Sequence, residues 1–189
     1  MRFAIVDLET TGGIPSDSKI MEIGIVLMDG VKVVETFQSL VDPGQPIPPF
    51  IQGLTGITDD MVSGKPQFSS IAEHVAELLQ DRIFVAHNVL FDCKFMRAEL
   101  KRCAIAYDPA RLCTVKMSRH VFPGFPSYSL HKLTESLGLA DFNHHRALDD
   151  AMAAAEILKL AISKVGEKGI RKEIKNIVKA SDFALAESN

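Results

Sequence analysis

The 189-residue chain has no excess of positive charge: 21 Lys and Arg stand against 24 Asp and Glu, a net charge of -3. No global positive field is available to coat a polyanion, so a nucleic-acid partner would have to be gripped by local groups or through metal ions. Cysteine is scarce. Cys93, Cys103 and Cys113 are odd in number and evenly spaced, which fits neither a disulfide framework nor a CxxC metal site, so they read as reduced core thiols. No stretch approaches the roughly 20 apolar residues that cross a bilayer, and the apolar start of "MRFAIVDLE" is too short for a signal peptide. The expected location is cytoplasmic, with no membrane partner. There is no internal repeat.

What is present is the composition of a folded protein, 47% hydrophobic and 24% charged with a mean hydropathy of +0.11. The length suits one sizeable domain. Residues 2 to 9 read as a strand, and "IMEIGIVLMDGVKVVETFQSLV" reads as two strands around the Asp29-Gly30 hairpin signal. A proline-rich loop, "DPGQPIPPFIQGLTGIT", follows. "SSIAEHVAELLQD" has helical spacing at Ile71, Val75, Leu78 and Leu79, with serines placed to cap it. "RIFVAHN" is a compact strand leading into the helical "VLFDCKFMRAELKRC", and a short strand at "RLCTV" leads into another helix. The loop "FPGFPSYS", a short helix ending at Gly138 and a long helix from about Arg146 to Val165 complete the pattern. The predicted fold class is α/β: a mixed sheet of three initial antiparallel strands and then βα units, flanked by helices. Residues 1–165 form the domain, and residues 166–189 form a basic amphipathic segment, with Ile170, Ile174, Ile177 and Val178 at helical spacing. That segment reads as a docked helix or a linker.

Three carboxylate positions stand out. In "IVDLETTGG" strand alternation puts Asp7 and Glu9 on the same face at the end of a buried strand, where they repel unless a cation neutralises them or one takes up a proton. Oxygen-only donors suit Mg²⁺ or Mn²⁺ better than zinc. In "AHNVLFDCKFM", Asp92 shares a helical face with Phe95 and Met96, and a carboxylate on an apolar face needs a partner. In "HHRALDDAMAAAEILKLA", Asp150 falls on the packing stripe with Ala147, Ala151, Ala154, Leu158 and Ala161, whereas Asp149 shares a more solvated face with Met152 and Glu156. The small alanines let this helix come close enough to the sheet to bring Asp150 beside Asp7. His145 precedes the helix and is free to swing toward the same cleft as a base; His144 has no such support, and His74, His120 and His131 read as helix-surface residues.

With these three segments in order, the chain resembles the DEDDh group of the DnaQ-like 3′–5′ exonucleases, the family that includes the proofreading epsilon subunit of bacterial DNA polymerase III. "FAIVDLETTG", "AHNVLFDCKFM" and "HRALDDA" look like its first, second and third motifs, and the resemblance takes in "LTGIT" and covers about residues 1 to 160. It implies an RNase H-like fold and a two-metal-ion phosphodiester hydrolase that uses Mg²⁺ or Mn²⁺. The four metal-binding carboxylates would be Asp7, Glu9, Asp92 and Asp150, all counted with His145 as catalytic, and His145 would be the general base. One ion would sit on Asp7, Glu9 and Asp150, and a second on Asp7, with Asp92 reaching it directly or through water. Thr10, Thr11 and Gly12 would contact the terminal nucleotide, Phe91 would lie near its bases, and His87 and Asn88 would support it from the strand end. The implied partner is the 3′ end of single-stranded DNA or RNA, with a polymerase or repair nuclease as protein partner. An RNA exonuclease resembling RNase T or oligoribonuclease shares the same catalytic set, and a binding or assembly module with an idle site is the rival outside the enzymes.

Overall fold

Strand β1 (Arg2–Thr10) takes its two faces from simple alternation. Ala4, Val6 and Leu8 enter one apolar cluster, and Phe3 and Ile5 enter another on the opposite side. The computed structural model describes residues 1–139 and 146–175. Strands β2 (Ile20–Asp29) and β3 (Lys32–Leu40) form the expected hairpin, with Asp29 opposite Lys32 and Gly30 at φ +61°, a conformation that favours glycine. Strand β4 (Ile83–Ala86) lies parallel to β1, and β5 (Arg111–Cys113) parallel to β4, which gives a mixed five-stranded sheet in the order β3-β2-β1-β4-β5.

Helices cover both faces. Helices α3 (Phe68–Leu79) and α4 (Val89–Arg102) bury Val75, Leu79, Phe95 and Met96 against the Ala4, Val6 and Leu8 side. The other side is covered by α5 (Thr114–Val121), α6 (Leu130–Ser136) and α7 (Ala147–Arg171), through Met117, Leu133, Ile157 and Leu158. Full burial of side chains such as Ile157 and Leu158 contributes about 1.5–3 kcal/mol each. The alanine stripe of α7 is buried as its spacing suggests: Ala147, Ala151, Ala154 and Ala161 are all buried.

Four local expectations need correction. The proline-rich segment is not all loop, because α1 (Pro49–Thr55) and α2 (Asp59–Val62) form within and just after it. Pro49 opens α1 where its missing N–H costs nothing, and Gly56 closes it at φ +71°. The serines do not cap α3: the helix begins earlier, at the buried Phe68, and Gln67 takes the cap position without a side-chain bond. Of the three free cysteines only Cys93 is buried, while Cys103 and Cys113 are partly covered at the edge of the same cluster. The long helix does change course after Val165, where Gly166 takes φ +67°, yet helical structure resumes to Arg171.

The C-terminal segment packs on the domain as far as it is described. Ile170 is fully buried, Ile174 packs on the same cluster, and Lys175 exchanges two backbone hydrogen bonds of 2.8 Å with Arg111. Ile177 and Val178 lie outside the described residues. Among the described residues no helix is long and apolar enough to cross a membrane.

This topology determines where chemistry can occur. The parallel strands β1 and β4 end at the same edge of the sheet, the location where open α/β sheets bind ligands. The first turns of α4 and α7 reach that edge from opposite faces.

Candidate active site

Asp7 and Glu9 continue the Phe3 and Ile5 face of β1 beyond its apolar part, so both carboxylates turn toward α7. Asp150, 9% exposed in the first turn of α7, meets them there. One carboxylate oxygen from each of Asp7, Glu9 and Asp150 can be chosen so that all three lie within 4.8 Å of one another. Asp92 arrives from the other side of the sheet in the first turn of α4 and is 4% exposed, with its carboxylate held by backbone hydrogen bonds that include one from Leu8.

The electrostatics follow from this crowding. Burial, and then the neighbouring Asp92, Asp150, Glu9 and Glu22 carboxylates, hold Asp7 well above the usual carboxylate range. Burial, with help from Asp150 and Glu22, lifts Glu9 to about 7. Asp92 is pushed to about 8, chiefly by burial and against the pull of its backbone hydrogen bonds. A cluster that resists ionisation when alone is one that a divalent cation would stabilise. The donor set is hard oxygen only, which fits Mg²⁺ or Mn²⁺, and Asp7, Glu9 and Asp150 are close enough together to serve it.

The other expected site residues have clear positions. Thr10 Oγ1 donates to the carbonyl of Gly12 at 2.7 Å, and Thr11 Oγ1 accepts from Lys19 N at 3.0 Å and from Gln45 Nε2 at 2.8 Å. Both threonine hydroxyls, and the Thr11 amide that donates to the carbonyl of Lys19 at 2.9 Å, are thus engaged in shaping the loop after β1. His87 has one ring nitrogen 2.9 Å from Thr114 Oγ1 and the other 2.9 Å from the carbonyl of Tyr128, so the ring ties the α5–α6 loop to the end of β4. Burial pushes its pKa down, against the hydrogen bond to Tyr128 and the nearby Asp150 carboxylate. Asn88 is exposed and takes φ +82° at the start of α4. Phe91 packs its ring 4.9 Å from that of Phe95 at the rim of the core. His144 and His145 lie outside the described residues. His74 and His120 are exposed, against Phe37 and Glu173 respectively, and His131 is exposed on α6.

The exonuclease (RNase_T) family model matches residues 4–158, which hold all four carboxylates. The chain belongs to the exonuclease family. Its relatives include the 3′–5′ exonucleases DinG of Staphylococcus aureus and Staphylococcus saprophyticus, each 39% identical over 163 residues, or 86% of this chain. The chain spans only 18% of the length of those proteins. Among solved structures, exonuclease X in complex with 5′ overhanging duplex DNA superimposes with a TM-score of 0.74 at 28% identity, over 90% of this chain and 98% of that one. The nuclease domain of 3′hExo, a DEDDh family member bound to rAMP, has the same TM-score at 23% identity over 88% and 94% of the two chains, a likeness of fold. The architecture is that of the RNase H-like exonucleases.

Sequence reasoning missed a supporting layer of this exonuclease fold. Glu22 on β2 lies opposite Glu9 and is completely buried. Its carboxylate accepts from Arg146 Nη2 at 2.8 Å and Nε at 3.1 Å, from the amide of Ala147 at 3.1 Å and from Gln38 Nε2 at 2.9 Å. A lone glutamate inside the apolar run "IMEIGIV" was the available signal, since a buried charge requires partners. The proline-rich loop also acquires a role, as Gln45 braces Thr11 and reaches the carbonyl of Asp17 at 3.3 Å. On the far side of the same loop, Glu99 lies 2.8 Å from Arg102 and 4.0 Å from Lys19, and Arg102 also donates to the carbonyl of Pro15.

Proposed function

We propose that this chain is a divalent-metal-dependent 3′–5′ exonuclease that releases nucleoside monophosphates from the 3′ end of DNA. The observation that carries the reading is the convergence of Asp7, Glu9 and Asp150 oxygens within 4.8 Å, with buried Asp92 close enough to perturb Asp7. Family membership and the 3′–5′ exonuclease relatives support it.

Asp7, Glu9 and Asp150 would hold one Mg²⁺ or Mn²⁺, and Asp7 with Asp92 a second. Bound there, the ions would supply Lewis-acid chemistry, acidifying the attacking water and offsetting charge on the phosphate and the departing 3′ oxygen. His145, the residue before Arg146, would accept the proton of that water; a reference pKa near 6.5 suits it to the neutral range. Thr10, Thr11 and Gly12 would position the terminal nucleotide beside the carboxylates through backbone and side chain, with Phe91 toward its bases. His87 would act through the Tyr128 loop and Asn88 through the start of α4, both shaping the substrate-facing edge. Residues 166 onward would extend the nuclease unit of residues 1–165 with a docked basic segment. The work of such a unit would lie in cytoplasmic DNA repair or proofreading, beside a polymerase or a repair nuclease.

The test uses single-stranded DNA labelled at either end, with Mg²⁺ or Mn²⁺ and with EDTA, alongside Asp150→Ala. Metal-dependent release of mononucleotides from the 3′ end, absent in the variant, is the expected result. Cleavage of matched RNA alone would move the substrate to RNA, and retention of intact oligonucleotide with metal present would make the chain a binding module.

A further inference from the structure

The Glu22 carboxylate is not free to join the metal cluster, although it lies on the same sheet edge as Glu9. Four donors on three residues occupy it, and two of those residues, Arg146 and Ala147, form the start of α7. Gly24, two residues on and therefore on the same face of β2, is opposite Asp7 in the sheet. A Cβ at Gly24 would come within 2.3 Å of the backbone of Ala147 and Leu148. Glycine is needed at Gly24 for close approach, and the glutamate two residues before it supplies the attachment.

We propose that Glu22 and Arg146 are positioning residues, which together with Gly24 form a seat that fixes the first turn of α7 against β2 and so sets the spacing of Asp150 to Asp7 and Glu9. The physical need is plain. Without a cation the three carboxylates repel, and the first turn of α7 is the element that would recoil. A fork from Arg146 onto a buried carboxylate, joined by the helix's own amide, resists that recoil with directional bonds and not with the α7 apolar stripe alone. The seat also fixes the direction in which the chain enters α7 directly after His145. The inference rests on the metal-dependent reading above and names the residues that pre-form its site.

Charge and position make opposite predictions for Arg146. Removing a cation beside an acidic cluster should tighten metal binding if charge alone matters, and should weaken it if Arg146 holds α7 in place. The experiment is Mn²⁺ binding to the protein alone, followed by electron paramagnetic resonance or calorimetry, for wild type, Arg146→Gln, Arg146→Lys and Glu22→Gln, each well below its melting temperature. Arg146→Gln is expected to raise the Mn²⁺ dissociation constant about ten-fold or more, in the range seen when the supports of metal ligands are removed. Arg146→Lys should fall between it and wild type. In nuclease assays the same variants should require correspondingly more Mn²⁺ for half-maximal rate. Unchanged or tighter Mn²⁺ binding in folded Arg146→Gln overturns the proposal. Should Glu22→Gln fail to fold, the two Arg146 variants decide alone, because that side chain is 39% exposed. Wild-type protein that binds no Mn²⁺ would instead overturn the metal-dependent reading itself.

Discussion

The two ends of the central strands treat charge in opposite ways. At the start of β1 and β4, opposite charges pair: Arg82 with Asp29 at 2.9 Å, the Met1 ammonium with Glu167 at 3.0 Å, and Arg2 with Asp81 at 3.9 Å. That end also carries a cavity of about 740 Å³, whose lining includes Arg2, Arg82, Tyr107 and Arg171. At the other end of β1, about 23 Å away at the usual strand rise, Asp7 and Glu9 meet Asp92 and Asp150, and the nearby Arg146 is already committed to Glu22. That hollow lies at the end where charge is already balanced, whereas the like charges gathered at the other end are what point to a ligand there.

The largest expected effect comes from breaking the acidic end. Asp7→Asn should lower nuclease activity by about a thousand-fold or more, since it removes a ligand that both ions would share. The same change removes one repelling charge, so the metal-free variant should melt about 2–4 °C above metal-free wild type, as roughly 1 kcal/mol predicts for a chain of this size. Calorimetry in EDTA beside the activity assay checks both. A lower melting temperature would mean that Asp7 serves the fold.

A second effect sharpens the contrast through pH. The folded-state pKa of Glu9 is raised to about 7 and that of Asp92 to about 8. Between the ordinary carboxylate range and those values the native state holds protons that the unfolded chain has released, so stability must fall as pH rises. Metal-free protein should lose on the order of a few kcal/mol between about pH 5 and pH 8.5, and saturating Mg²⁺ should offset most of the loss. Denaturant melts across that range, with EDTA and with Mg²⁺, provide the measurement. A flat metal-free profile would show that the carboxylates are not mutually strained.

How much of this was legible beforehand depended on whether the signal was local. Asp7 and Glu9 could be assigned to one face from alternation alone, and Asp150 was separated from Asp149 by the alanine stripe, because period decides which way a side chain points. Helix α1 escaped notice since its segment is rich in proline and glycine and buries only Thr55, which leaves no apolar stripe to read. The role of Glu22 required partners 124 and 125 residues away, which no local pattern names. Thr10 and Thr11 were read only as contacts to a nucleotide, and the bracing of Thr11 by Lys19 and Gln45 across two loops carried no local signal. Motif spacing singled out the carboxylates that converge, and tertiary contacts alone revealed what braces them.

The smallest effect tests the balanced end. Arg82 is 13% exposed and, besides Asp29, donates to the backbone carbonyls of Met28 at 3.2 Å and Phe3 at 3.4 Å, which joins the start of β4 to β1 and β2. Asp29 is half exposed, so solvent weakens the ion pair, and most of the value lies in the two carbonyls that would lose their donor. Arg82→Ala should therefore cost about 1–2 kcal/mol, a fall of roughly 2–8 °C in melting temperature. Activity per folded molecule and Mn²⁺ affinity should stay at the wild-type level, because no carboxylate of the acidic end touches this network. A variant that stays folded but binds Mn²⁺ more weakly would show that the two ends are coupled along β1, and the division of labour between them would have to be abandoned.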